Sequence, residues 1–235
     1  EGLTSINEVN DKIEEILPQN AWQTRNKIRG ALKKRYLTFN EDLLIRTPLL
    51  KLVSKSRDLT FIKELLCYHY LNAERIGAEV VQNILYPRLP RASYDEAYII
   101  NYLTQKMHGA SEKTIKNTCS LLKTALKRFG LLTKIDDNWF ACPYSPKLET
   151  FIYVLYHEFT VTQNYLNPKT SYLLEKAEFP RIFLMHPTSM KDYIQRARLT
   201  KLISYETYAG EEQVALIHKS LDRAANEMIK RMEGK

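Results

Sequence analysis

Six basic side chains, Lys113, Lys116, Lys123, Lys127, Arg128 and Lys134, fall within residues 113–135, a stretch that contains no Asp or Glu. Side chains of this type at this spacing bind anions, because no acid within the stretch itself neutralises them. At about 100° per residue, Lys113, Lys116, Asn117, Ser120, Lys123, Thr124 and Lys127 lie on one side of a helix, and Ile115, Thr118, Cys119, Leu122, Ala125, Leu126 and Phe129 on the other. A helix that buries the second face offers the first to phosphates, with Asn117 placed for a base edge or a phosphate. An ordinary solvated helix remains the alternative, although such helices usually alternate Lys with Glu.

A second basic cluster, Arg25, Lys27, Arg29, Lys33, Lys34 and Arg35, occupies a helical pattern over residues 21–37 that also lacks acids. Its apolar stripe is thin, Trp22, Ile28, Leu32 and Tyr36, so its charge spreads around the circumference. Any one of these cations suits a solvated helix as well as a phosphate contact; as a cluster they favour contact.

Residue sets for catalysis are poor. His157-Glu158 has no second His to complete a zinc-protease motif, and Cys67 and His69 stand roughly 200° apart on a helix. His108, His186 and His218 sit beside Gly or Pro or at a hairpin end. With 7 Gly and neither GxxxxGK[ST] nor GxGxxG, no phosphate loop is expected, so catalytic residues, metal ligands and cofactors are all expected to be absent.

The elements that must position the basic residues are mostly helical. Ser111 caps the 113–129 helix, Gly130 stops it, and 131–135 and 139–141 read as two strands around Asp136-Asp137-Asn138, the order of a recognition helix followed by a wing. Upstream, Thr4 or Ser5 caps an acidic helix that stops at Pro18, residues 40–45 read as helical, Thr47-Pro48 restarts a helix, and Asp58 caps a long apolar one over 61–71 with Leu65, Leu66, Tyr68 and Tyr70 in the core. Residues 73–85 continue as a helix up to Pro87 and Pro90, and Ser93 with Glu96 forms a capping box for a helix over 94–107. Pro143 and Pro146 mark a boundary between a basic helical domain, 1–142, and a second helical domain, 147–235. The second has helices at 147–159, from Asn167-Pro168, and at 189–198 after His186-Pro187-Thr188. A hairpin at 201–208 and 213–218 around Ala209-Gly210-Glu211-Glu212 and a final helix at 219–232 complete it. The fold class expected is therefore mainly α, two helical domains each ending in a winged-helix-like β-hairpin. No residue-level repeat is visible, and the second copy lacks the basic face.

Charge follows the same division. The net charge is +8, with −4 in residues 1–19, +10 in 20–144 and +2 in 145–235, so a polyanionic partner is expected for the first domain. In the second, Glu206, Glu211 and Glu212 crowd the hairpin tip, and Tyr153, Tyr156, Tyr165 and Tyr172 look exposed, which suits protein contacts. Cys67, Cys119 and Cys142 are odd in number and lack CxxC spacing, so a reduced, cytoplasmic setting is expected. No apolar run reaches the roughly 18 residues of a membrane span.

From Trp22 onwards the chain resembles the BrxA proteins of the BREX bacteriophage-defence systems. The likeness rests on TRNKIRGALKKRYLTF, on LLKLVSKSRDLTFIKELLCYHYLNAERIGAEVVQNILYPRL, on SEKTIKNTCSLLKTALKRFGLL before a hairpin, and on FPRIFLMHPTSMKDYI before a Gly-containing hairpin. The resemblance implies a small, non-enzymatic DNA-binding component of a multi-protein system that methylates host DNA and blocks phage propagation. The expected partners are double-stranded DNA and other BREX subunits. The family has been likened to NusB, an RNA-binding antitermination factor, which keeps RNA open as a ligand. It has also carried an inner-membrane label that no segment of this sequence supports. A protein-binding adaptor is the remaining alternative.

Overall fold

A computed structural model describes residues 5–89, 93–186, 188–208 and 210–234. Readings that rest on Thr4, Pro90, Pro187 or Ala209 lie outside the described residues. The fold is mainly α, with small antiparallel sheets.

Ser5 caps α1 (Ile6–Ile16) through a capping box: its hydroxyl accepts from the Glu8 N–H, and the Glu8 carboxylate accepts from the Ser5 N–H. α1 buries Val9 and Ile13, whereas α2 (Trp22–Tyr36) buries no residue fully, in line with its thin apolar stripe. Residues 40–45 form a hairpin rather than the expected helix, β1 (Phe39–Asn40) against β2 (Leu43–Leu44). Glu41 turns the chain in the left-handed region at φ 53°, and Thr47-Pro48 follows too soon for a second helical turn.

Thr47 caps α3 (Pro48–Lys55), and Asp58 caps α4 (Leu59–Ala73) by accepting from the Thr60 and Phe61 N–H groups. The expected 73–85 helix breaks at Glu74 into α5 (Arg75–Val80), a π-helical turn (Val81–Leu85) and a 3-10 turn (Tyr86–Arg88). Val80, Val81 and Leu85 of this stretch all lie in the core.

Ser93 does not cap the next helix. It lies in β3 (Ser93–Tyr94), and Asp95 caps α6 (Glu96–Lys106) by accepting from the Ala97 N–H. Ser111 caps α7 (Glu112–Phe129), and Gly130, at φ 86°, ends it in the left-handed conformation that only Gly adopts without strain. β4 (Leu132–Ile135) and β5 (Asn138–Ala141) follow as the expected hairpin, and β3 adds to β5, giving the order β3-β5-β4.

After Pro143 and Pro146 come α8 (Leu148–Tyr156), a π-helical turn (His157–Thr162), α9 (Thr170–Glu175), the unanticipated α10 (Glu178–Ile182) and α11 (Ser189–Leu199). β6 (Ile203–Tyr208) and β7 (Glu211–Leu216) then form the second hairpin, before α12 (Leu221–Glu233). Buried residues on both sides of the two prolines belong to one contiguous core, including Phe61, Leu65, Leu126, Phe151, Phe159, Ile194 and Met228. Leu65 and Tyr68 are buried as expected, while Leu66 and Tyr70 are half-buried. Tyr153 and Tyr156, expected at the surface, are buried, since each hydroxyl finds a partner inside: His69 for Tyr153, the Leu202 carbonyl for Tyr156. Among the described residues no helix is long and apolar enough to cross a membrane.

Candidate nucleic-acid interface

α7 is amphipathic as read from sequence. Ile115, Cys119, Leu122 and Leu126 pack inward, while Lys113, Lys116, Asn117, Ser120, Leu121, Thr124, Lys127 and Arg128 are exposed. α7 packs against α6 and leads into the β4–β5 hairpin, to which β3 adds as a third strand. Lys113, Lys127 and Arg128 have no ion-pair partner among the described residues. Lys116 pairs with Glu112 at 2.6 Å and wing Lys134 with Asp137 at 3.0 Å, both between exposed side chains. Such surface pairs are worth about 0–1 kcal/mol, so a phosphate displaces them readily. Asn117 and Leu121, the latter 71% exposed, stand on the same outer face.

Lys123 corrects the sequence reading. It is buried, its ammonium pairs with the Glu96 carboxylate and sits 4.9 Å from the Trp139 ring. The exposed arc of α7 is centred nearer Asn117 and Thr124, and Lys123 falls on its flank, where the start of α6 and β5 close over it. Glu96 is 27 residues away in sequence, so no local pattern announces the pair.

The α2 cluster is also less available than its sequence implied. Arg25 and Arg29 both pair with Glu14 of α1, at 3.0 and 3.2 Å. Arg35 and Lys34 meet Glu74 at 3.1 and 3.7 Å, and the Arg35 guanidinium lies 4.8 Å from the Tyr70 ring. Lys33 donates to Asn10 Oδ1 at 3.3 Å and lies 5.4 Å from the Phe39 ring. The acidic first helix thus docks on the basic second one, with Glu14 as the counterion of Arg25 and Arg29. Lys27 is exposed without an ion-pair partner among the described residues, and Lys34 is exposed beside Glu74.

α11 carries a face that sequence reasoning missed. Met190, Tyr193, Ile194 and Ala197 are buried, while Lys191, Gln195, Arg196, Arg198 and Leu199 are exposed with Asp192, and Lys201 is exposed just beyond. The signal was present in the spacing of Lys191, Arg198 and Lys201, but the even charge balance of the whole segment masked it.

Of the histidines singled out in sequence, His69 and His157 are brought together. His157 Nδ1 lies 3.0 Å from the Tyr68 hydroxyl, His69 Nε2 lies 2.7 Å from the Tyr153 hydroxyl, and the two imidazoles are 5.2 Å apart. Burial pushes His69 down to about 3, helped by His157, and pushes His157 down to about 4. Glu158 is 8% exposed; burial, then repulsion from Glu178, raises its carboxyl to about 7. Burial raises the Cys119 thiol to about 12 and the Cys67 thiol further, so neither is a thiolate at neutral pH. Among the described residues no group of three or more His, Cys, Asp or Glu side chains is placed to hold a metal ion.

No protein-family model matches the sequence, and no curated protein matches it. The chain is similar in fold to two solved structures. One is a magnesium-ion-bound SspB crystal structure, with a TM-score of 0.67, and the other an SspB crystal structure, with a TM-score of 0.65. Each is 10% identical in sequence, and each alignment covers 96% of this chain and 84% of that chain. At that identity the likeness is one of fold.

Proposed function

We propose that this protein is a non-enzymatic duplex-DNA-binding protein that contacts DNA chiefly through phosphates. One observation carries the reading: the helix that precedes the wing presents Lys113, Lys127 and Arg128 exposed and unpaired, with Lys116 and Lys134 held only by surface pairs. Phosphate contacts of this type supply most of the affinity of such an interface, and Asn117 with Leu121 is the pair positioned for base-edge or thymine-methyl contact. Lys27 and Lys34 are the residues of α2 that remain open to an outside anion. The resemblance to BrxA proteins supports a role for this activity in a BREX phage-defence system, with other subunits of that system as proposed partners and the cytoplasm as the proposed compartment.

A gel-shift comparison of duplex DNA, single-stranded DNA and RNA over a salt series tests the reading. Duplex is expected to bind most tightly, with log K falling by about 0.9 per neutralised phosphate against log salt. A preference for RNA would transfer the face to the NusB-like alternative, and no binding to any of the three would leave the adaptor reading.

A further inference from the structure

β6 is the open edge of the second hairpin. β7 is paired on both sides: along β6, and along residues 166–169, where the Val214 N–H donates to the Pro168 carbonyl at 3.0 Å and the Leu216 N–H to the Leu166 carbonyl at 2.9 Å. Among the described residues β6 has β7 alone as a strand neighbour. The Ile217 N–H donates to the Leu202 carbonyl at 3.2 Å, and Ile203 stands opposite Leu216, so Leu202, Ser204 and Glu206 are the residues that bond to β7. Tyr205 and Thr207 therefore turn their N–H and C=O groups outward, and none of these groups has a backbone partner among the described residues. Ile203 shares their phase but is buried.

A row of unpaired backbone groups is a template for another strand, and folds blunt such edges with short strands, Lys or Pro. β4, the edge of the first sheet, is four residues long and carries Lys134. β6 is six residues long, ISYETY, with neither Lys nor Pro and with Ile, Thr and Tyr that favour a strand. Its outer end is acidic and aromatic. Glu206, Glu211 and Glu212 are exposed, and Tyr208 is 75% exposed. Lys169 neutralises Glu211 at 2.6 Å, whereas Glu206 and Glu212 have no ion-pair partner among the described residues. Glu206 shares a face of the hairpin with Tyr208, and Glu212 shares the opposite face with Thr207, so a carboxylate flanks the edge on each side.

We propose that β6 is a docking edge for an extended segment of another protein, which adds to Ile203–Tyr208 as a strand and carries Lys or Arg at alternate positions. The backbone of Tyr205 and Thr207 supplies the hydrogen bonds, and the cations lie on the face of Glu206, where they also meet the Tyr208 ring. A second copy of this chain would bring the same acids to the edge, and duplex DNA would bring phosphates to them; both are repelled. The inference does not depend on the reading of α7.

The test uses the full chain and a fluorescein-labelled octapeptide of alternating Lys and Val, with binding read by fluorescence anisotropy at low salt. An octapeptide of alternating Glu and Val controls for charge. Lysines on the face of Glu206 set the valines opposite Tyr205 and Thr207, so a Lys-Val peptide N-methylated at its valine nitrogens controls for backbone pairing and leaves the protein unaltered. Thr207→Pro removes an outward N–H and spares the ladder to β7, and Glu206→Lys reverses the charge; circular dichroism confirms the fold of each. The Lys-Val peptide is expected to bind, the Glu-Val peptide not to bind, and N-methylation, Thr207→Pro and Glu206→Lys each to weaken binding by about tenfold or more. No binding of the Lys-Val peptide to the wild-type protein would overturn the proposal. Binding that Glu206→Lys weakens but N-methylation does not would reduce the edge to a charged patch and overturn strand addition. A wild-type dimer that Thr207→Pro dissolves, seen by sedimentation, would give the edge to a second copy, and displacement of the peptide by unlabelled duplex would give it to nucleic acid; either overturns the proposed partner.

Discussion

Lys123 of α7 and Glu96 of α6 form an ion pair beneath the Trp139 ring, so the one cation of the basic face that sequence periodicity placed outward instead ties the helix to its neighbours. The Lys123 side chain is 10% exposed and that of Glu96 41% exposed, which leaves the carboxylate partly solvated if the lysine is lost. Lys123→Met is expected to cost about 1 kcal/mol, below the range for a fully buried pair, and to leave duplex affinity unchanged. Lys123→Glu sets two carboxylates together and costs more. Thermal denaturation read beside a gel shift decides it; lost affinity at unchanged stability would return Lys123 to the interface.

Lys113→Ala, Lys127→Ala and Arg128→Ala together are expected to reduce the salt slope by about 2.7 and to leave the melting temperature within a few degrees of wild type. All three side chains are exposed and unpaired, so their removal creates neither a cavity nor an orphaned charge. An unchanged slope would move the interface away from α7.

Glu64 is 3% exposed, and its carboxylate accepts from the Tyr144 hydroxyl at 2.8 Å, the Lys147 N–H at 2.9 Å and the Thr150 hydroxyl. It serves from α4 as the cap that α8 lacks in its own sequence, because Lys147 supplies no side-chain acceptor. Glu64→Ala strands three donors and is expected to destabilise the protein by about 2–4 kcal/mol, with Glu64→Gln intermediate because the amide keeps one acceptor. Denaturant unfolding measures both, and an alanine variant as stable as wild type would remove Glu64 from this role.

What the sequence disclosed follows from the range of each interaction. The capping of α1, α4 and α7, the Gly130 stop and both hairpins depend on residues within a few positions of one another, and all were legible. Lys123 with Glu96, Glu14 with Arg25 and Arg29, and Glu64 with α8 join residues 11 to 86 positions apart, which periodicity does not see. The basic face of α11 failed to register for another reason: net charge was averaged over 91 residues, while contact depends on the cations that one helix turns outward.

The buried titratable cluster at the junction of α4 and α8 predicts a stability maximum near pH 6.5. His69 and His157 stay neutral in the fold down to about 3 and about 4, whereas in the unfolded chain they take up protons near 6.5. The unfolded state therefore binds more protons below 6.5, and stability falls as pH drops from there towards 4. Glu158 acts in the opposite sense. Its folded carboxyl keeps its proton up to about 7 against an ordinary value of 4.5, so its share of stability is lost as pH rises from 4.5 through 7, opposed in part by the backbone N–H groups of Glu178 and Phe179. Between 4.5 and 6.5 two imidazoles outweigh one carboxyl, and above 6.5 the carboxyl alone continues. Glu158→Gln cannot ionise, so the melting temperature of wild type relative to this variant is expected to fall across pH 4.5 to 7 and level off above. A difference between the two that stays constant with pH would show that Glu158 titrates no differently in the folded and unfolded chains.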